Sequence, residues 1–151
     1  MIQDNLGSVL GDVSRLLRKA FDERARSIGV TRPQWRVLTK LVGHEGINQG
    51  NLAEMLDLEP ITVCRMVDRL QEAGLVERRA DPADRRAWQL FLTPRARPIV
   101  EELRALADPL FHAATEGLSA TELEQLHRSI AVIHSNLIGL TAKDQKEAAH
   151  G

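Results

Sequence analysis

The stretch from Pro60 to Arg97 constrains the fold more than any other part of this 151-residue chain. It opens Pro60-Ile61-Thr62-Val63-Cys64-Arg65-Met66-Val67-Asp68-Arg69-Leu70. Pro60 suits the first position of a helix, where its missing N–H is no loss. Gly74 then sits where a C′ glycine ends a helix. Two strand-like runs follow, Leu75–Arg79 and Ala87–Leu92, and in the second Trp88, Leu90 and Leu92 alternate onto one face. Asp81-Pro82-Ala83-Asp84-Arg85-Arg86 between them is turn chemistry with two arginines at its tip. The expectation is a helix followed by a two-stranded hairpin with a basic end.

Helical spacing accounts for nearly everything else. Leu6, Leu10, Val13, Leu17, Phe21 and Ile28 predict an amphipathic helix over roughly 6–28, ended by Gly29. Thr31-Arg32-Pro33-Gln34 reads as a capping box for a second helix bearing Trp35, Leu38, Leu41 and Val42, which stops before Gly46. Asn48 can cap a short third helix with Leu52, Ala53 and Leu56, and Asp57-Leu58-Glu59 makes the turn into Pro60. After the hairpin, Thr93-Pro94 starts a long helix carrying Val100, Leu103, Leu106, Leu110 and Phe111, with a kink expected at Pro109. Ser119-x-x-Glu122 opens a last helix with Leu123, Leu126, Ile130, Ile133 and Leu137, and the polar tail after Gly139 is expected to fray.

Charge is balanced overall at −1, but it is not evenly spread. Residues 60–100 carry eight basic and five acidic side chains, whereas residues 101–151 carry four and eight. A local basic surface on a near-neutral protein can meet phosphate while the remainder stays soluble. The single cysteine rules out an intrachain disulfide framework. Neither a secretory signal nor a run of membrane-spanning length is legible, so the expected location is the cytoplasm, with no membrane partner. His44, His112, His127, His134 and His150 show no close ligand spacing, and there is no phosphate loop, nucleophile elbow or HExxH. No metal, cofactor or enzymatic activity is expected.

The short helix, turn and longer helix around Leu56–Pro60 suit a helix-turn-helix, with Leu52, Ala53, Leu58, Val67 and Leu70 as its internal core. In such units the N-terminal part of the second helix lies in the major groove of a duplex. Pro60, Ile61, Thr62, Cys64, Arg65 and Arg69 are then the candidate contacts. Thr62 can meet a phosphate or a thymine methyl, Arg65 can donate two hydrogen bonds to guanine, and Arg69 suits phosphate. At the hairpin tip Arg85 is the expected minor-groove finger, Arg86 the paired or phosphate-facing residue, and Asp84 the ion-pair partner that orients one of them. The fold class is therefore mainly α with a small β-hairpin wing, a winged helix-turn-helix plus long dimerisation helices. The expected division is 31–93 for the DNA-binding region, with 1–30 and 94–151 as the helical dimerisation region. Helices that long, apolar along one stripe, call for a second copy of the chain.

These residues resemble the MarR family of bacterial transcriptional regulators, and within it the SlyA-like branch. The likeness runs over residues 6–139. It is carried by Val30-Thr31-Arg32-Pro33-Gln34-Trp35, Asn51-Leu52-Ala53-Glu54, Glu59-Pro60-Ile61-Thr62-Val63, Val67-Asp68-Arg69-Leu70, Gly74-Leu75-Val76-Glu77-Arg78 and Asp81-Pro82-x-Asp84-Arg85-Arg86-Ala87. Pro94-Arg95-Ala96-Arg97-Pro98, where many members have a glycine, is similar to the SlyA-like pattern. The resemblance implies a homodimer on a pseudo-palindromic operator in double-stranded DNA. It also implies a repressor, released by a small aromatic, phenolic or anionic ligand held where the dimerisation helices meet the DNA-binding lobe. Trp35, Arg15 and Arg18 could stack on and pair with such a ligand. Two other readings stay open: a winged-helix module that binds protein with the same face, and oxidant sensing through Cys64.

Overall fold

A computed structural model describes residues 5–149; His150 lies outside them. The order is α1 (Leu6–Ser27), α2 (Arg32–Val42), α3 (Gln49–Leu56), α4 (Pro60–Glu72), β1 (Val76–Ala80), β2 (Trp88–Leu92), α5 (Ala96–Ala114) and α6 (Ala120–Ala148). This is the mainly helical, winged arrangement that the residue pattern implies.

Local chemistry sets most boundaries. Gly29 takes φ 75° directly after α1, and Gly74 takes φ 73° after α4, a left-handed conformation that side-chain-bearing residues rarely adopt. The Gln34 side chain accepts the Thr31 backbone N–H at 2.9 Å, and Asn48 Oδ1 accepts from Asn51 N–H at 2.8 Å. Ser119 and Glu122 bond reciprocally at 2.7 and 3.1 Å, so α6 opens on a full capping box. The turn into α4 is made by Asp57 at φ 52°, tolerable for an aspartate, with Leu58 N–H donating to the Ala53 carbonyl at 3.0 Å.

One compact unit extends to Leu110 and a second begins at Phe111. The core of the first draws on every element from α1 to α5. Leu38 and Leu41 of α2, Leu52 of α3, Leu70 of α4, Leu90 of β2 and Leu103 of α5 are all buried. Each such side chain stabilises the fold by about 1.5–3 kcal/mol relative to exposure. Leu52, Ala53, Val67 and Leu70 are buried and Leu58 partly so, as the helix-turn-helix core requires. The strands pair antiparallel from Val76↔Leu92 to Ala80↔Trp88. A short edge joins them: Gly46 N–H donates to the Leu90 carbonyl at 2.8 Å and Leu90 N–H to the Ile47 carbonyl at 2.9 Å. The Glu45 carboxylate closes this root, accepting Leu92 N–H at 2.9 Å and the Arg97 guanidinium at 2.9 Å on both oxygens. Burial pushes the Glu45 carboxyl up, but the Arg97 and Leu92 hydrogen bonds and the charges of Arg97 and Arg79 hold it below the usual range.

Three expectations change. The polar tail does not fray at Gly139: α6 runs on to Ala148. Residues 142–148 are mostly good helix formers with no glycine or proline, so nothing stops the helix there. The strands begin one residue later than the alternation suggests, at Val76 and Trp88. Trp88 shares a face with the buried Leu90 and Leu92 but is itself exposed, because it lies at the loop end of the hairpin beyond the helices. Pro109 lies inside α5, which continues past it to Ala114. In the second unit α6 buries none of its residues, and Leu126, Ile130, Leu137 and Ile138 all stand exposed. Among the described residues no helix is long and apolar enough to cross a membrane.

Candidate nucleic-acid interface

The α4 helix presents two different faces because its apolar residues follow a helical period. Val63, Val67 and Leu70 point into the core, leaving Pro60, Ile61, Thr62, Arg65 and Arg69 exposed and Cys64 half-buried. Thr62, Arg65 and Arg69 fall at i, i+3 and i+7, one stripe of the helix surface. Beside this stripe is a cavity of about 430 Å³ lined by Thr31, Pro33 and Gln34 from the start of α2 and by Thr62, Arg65, Met66 and Arg69. The hairpin supplies the second group: Asp84, Arg85 and Arg86 are all exposed in the β1–β2 loop.

Asp84 has a different job from the one its neighbours suggest. Its Oδ1 accepts the backbone N–H of Arg86 at 2.9 Å, and Asp81 Oδ1 accepts Ala83 N–H at 2.8 Å. Both are side-chain-mimicked turns, which aspartate makes because its acceptor reaches the amide two residues on. No ion pair joins Asp84 to Arg85 or Arg86 among the described residues, so the carboxylate shapes the loop and leaves both guanidiniums open. The expected orienting ion pair is thereby replaced by a backbone bond.

The charge surplus of residues 60–100 is divided by the fold. Arg79 pairs with Glu77 and lies over the Phe91 ring at 4.0 Å, and Arg97 is held by Glu45. Arg78, on β1, donates to Gln71 Oε1 at 2.6 Å, to Gln49 Oε1 at 3.0 Å and to the Cys64 carbonyl at 3.3 Å, and pairs with Asp68 at 2.7 Å. Arg65, Arg69, Arg85 and Arg86 have no hydrogen-bond or ion-pair partner for their guanidiniums among the described residues. Composition alone could not make this separation, since partners such as Gln49 and Glu45 are remote in sequence.

Arg78 also alters the surroundings of Cys64. By sequence only Arg65 flanks the thiol, but the fold brings the Arg78 guanidinium to 4.0 Å from its Sγ. This neighbour was hidden because a strand residue reaches the helix only through tertiary packing.

The residues considered for a ligand are less concentrated. Trp35 packs edge-on against Phe21 at 4.8 Å between ring centres, and its indole N–H donates to Asp22 at 2.7 Å. Asp22 also accepts from Arg32 Nε at 2.6 Å, tying α1 to α2. Burial raises the Asp22 carboxyl, but the bonds from Arg32 and Trp35, with the charges of Arg32 and Arg26, hold it below the ordinary carboxylate value. Arg15 reaches Asp12 at 3.5 Å and Arg18 reaches Ser14 at 3.1 Å, both on α1 itself. Arg36 bonds the Leu56 carbonyl at 2.7 Å, and burial together with the charges of Arg18 and Arg32 lowers its pKa.

This geometry has relatives. Residues 30–88 match the model of the MarR family. A solved transcriptional regulator designated PA3341 is 30% identical, superposes with a TM-score of 0.79, and covers 88% of this chain and 98% of its own length. The chain belongs to the MarR family. A mutant MarR from E. coli, solved in complex with operator DNA, is 26% identical with a TM-score of 0.71, over 85% of this chain and 92% of that one. A MarR transcriptional regulator from Methanosarcina mazei Go1 shares the fold at a TM-score of 0.81 and 20% identity, over 91% of this chain and 99% of that one. The helices and hairpin described above are thus the MarR-type winged helix, of which α4 and the β1–β2 loop are the outward parts.

Proposed function

We propose that this MarR-family protein is a cytoplasmic, homodimeric repressor of the SlyA-like branch that binds a pseudo-palindromic operator and is released by a small aromatic or anionic effector. One observation carries the DNA-binding part: four exposed arginines whose guanidiniums have no hydrogen-bond or ion-pair partner among the described residues, Arg65, Arg69, Arg85 and Arg86, stand on the outer stripe of α4 and at the hairpin tip. In this reading Thr62 and Arg65 meet base edges, and Pro60, Ile61 and Cys64 shape the groove contact. Arg69 and Arg86 meet phosphate, Arg85 enters the minor groove, and Asp84 preforms the loop that presents it. The E. coli MarR solved on operator DNA supports it by likeness.

Dimerisation is supported by the apolar surface left uncovered on single helices. Leu6, Val9, Leu10, Val13 and Leu16 of α1 and Leu126, Ile130 and Leu137 of α6 are exposed in one chain, more than a soluble helix leaves bare without a partner. Residues 1–30 and 94–151 would form the dimerisation region and 31–93 the DNA-binding region. Two copies would then set their α4 helices about one helical turn of DNA apart, roughly 34 Å. An effector that favours another spacing would release the operator by a population shift. Arg15 and Arg18 of α1 and Trp35 of α2 are the residues that would pair with and stack on such an effector.

The test is fluorescence anisotropy with a duplex selected from a randomised pool and a scrambled duplex, each at two salt concentrations, followed by a panel of phenolic and aromatic carboxylates. Salt-sensitive binding that prefers the selected duplex is expected. Failure to bind any duplex in dilute buffer would remove the proposal.

A further inference from the structure

We infer that Arg78 is a positioning residue that fixes the rotation of α4 about its own axis and so determines which bases the protein accepts. The inference rests on the DNA-binding reading above. Arg78 belongs to β1, and its side chain is only 13% exposed. Its guanidinium reaches Gln49 of α3 and three residues of α4, namely the Cys64 carbonyl and the Asp68 and Gln71 side chains. One side chain therefore joins the wing to both helices of the helix-turn-helix.

The three α4 acceptors sit at i, i+4 and i+7, a single stripe. Arg65 follows Cys64 directly, so it lies about 100° around the helix from that stripe. Clamping the first stripe fixes the angle at which the second, Thr62, Arg65 and Arg69, faces outward. The bond to the Cys64 carbonyl acts on the backbone itself, one residue before the candidate base contact. A planar guanidinium with donors in a fixed fork can serve these divergent acceptors, which the single ammonium of lysine cannot. Surrounded by its own acceptors, Arg78 has little left to offer a phosphate. It should therefore act on sequence preference and leave the general attraction to DNA alone.

The test uses the full chain, the selected duplex and the scrambled duplex. Arg78→Lys keeps the charge, so operator affinity should fall at least about tenfold while scrambled-duplex affinity stays within about twofold and the slope of log K against log salt is unchanged. Gln71 is exposed, so Gln71→Ala should fold normally and shift the preference in the same direction by less. It carries the test should Arg78→Lys fail to fold. Combining Arg78→Lys with Arg65→Ala should cost little beyond Arg65→Ala alone, because the contact being oriented is gone. A merely structural loss would instead lower the melting temperature and add to the Arg65→Ala loss in full, which overturns the inference. So would equal falls on both duplexes with a shallower salt slope, the mark of a phosphate contact. If the parent protein binds no duplex, the DNA-binding reading fails. If the parent selects its operator and both Arg78→Lys and Gln71→Ala match it, the positioning role alone fails.

Discussion

Replacing Arg85 by alanine separates the wing's contribution to DNA from its contribution to the fold. Arg85 is exposed, and the turn that carries it is held by backbone bonds to Asp81 and Asp84 that its side chain does not enter. Stability should therefore change by no more than about 0.5 kcal/mol. On DNA each Arg neutralises about one phosphate charge, and the slope of log K against log salt changes by about 0.9 per charge. A dimer has two wings, so the slope should become shallower by about 1.8. Over a fourfold rise in salt, from about 50 to about 200 mM, the advantage of the parent protein should then shrink about twelvefold. Anisotropy titrations at four salt concentrations, with a melting curve and sedimentation of the same samples, would measure all three quantities. Parallel salt lines for parent and Arg85→Ala, or equal operator affinity at low salt, would refute the minor-groove assignment.

Further outcomes follow from individual contacts. Asp84→Asn keeps an oxygen that can accept from Arg86 N–H and removes a negative charge, so operator affinity should hold or rise. Asp84→Ala loses the turn bond and should weaken binding, and the reverse order in a titration would contradict the loop-shaping role. Arg65→Ala should relax base preference and cost about 1–3 kcal/mol on the selected duplex, checked by binding to single-base variants of it. Ile130→Glu or Val13→Glu should shift sedimentation toward the monomer, since each places a charge on an apolar stripe with no cover in one chain. Leu38→Ala should destabilise by about 2–5 kcal/mol in urea, because Leu38 is wholly buried. Asp22 bears on acid stability: a carboxyl held below its unfolded value contributes stability that is present above that value and lost as pH falls through the folded one. Melting temperature should drop for the parent below about pH 4, and Asp22→Asn should show a smaller drop over the same range.

Much of the helical architecture was legible because its signals are local. Asn48 before α3 and Ser119 with Glu122 before α6 fix an end through bonds within a few residues, and Pro60 at the start of α4 and Gly74 after it do so through backbone geometry. Apolar spacing then picked out the buried side of each helix, since burial must follow the helical period. The ends of the hairpin were less clear, because pairing partners and neighbouring helices decide where a strand begins.

The exposed tip of basic residues after two alternating runs was likewise written in the chain, and with it the family resemblance. What the sequence could not supply was the fate of each charge. Arg78, Arg79 and Arg97 count toward the same basic surplus as Arg65 and Arg85, yet the fold gives the first three to Gln49, Asp68, Glu77 and Glu45. Asp84 stood beside two arginines and bonded a backbone amide instead. Charge acts through space and is screened by whatever lies nearest, so only the folded chain decides which guanidiniums remain for a partner.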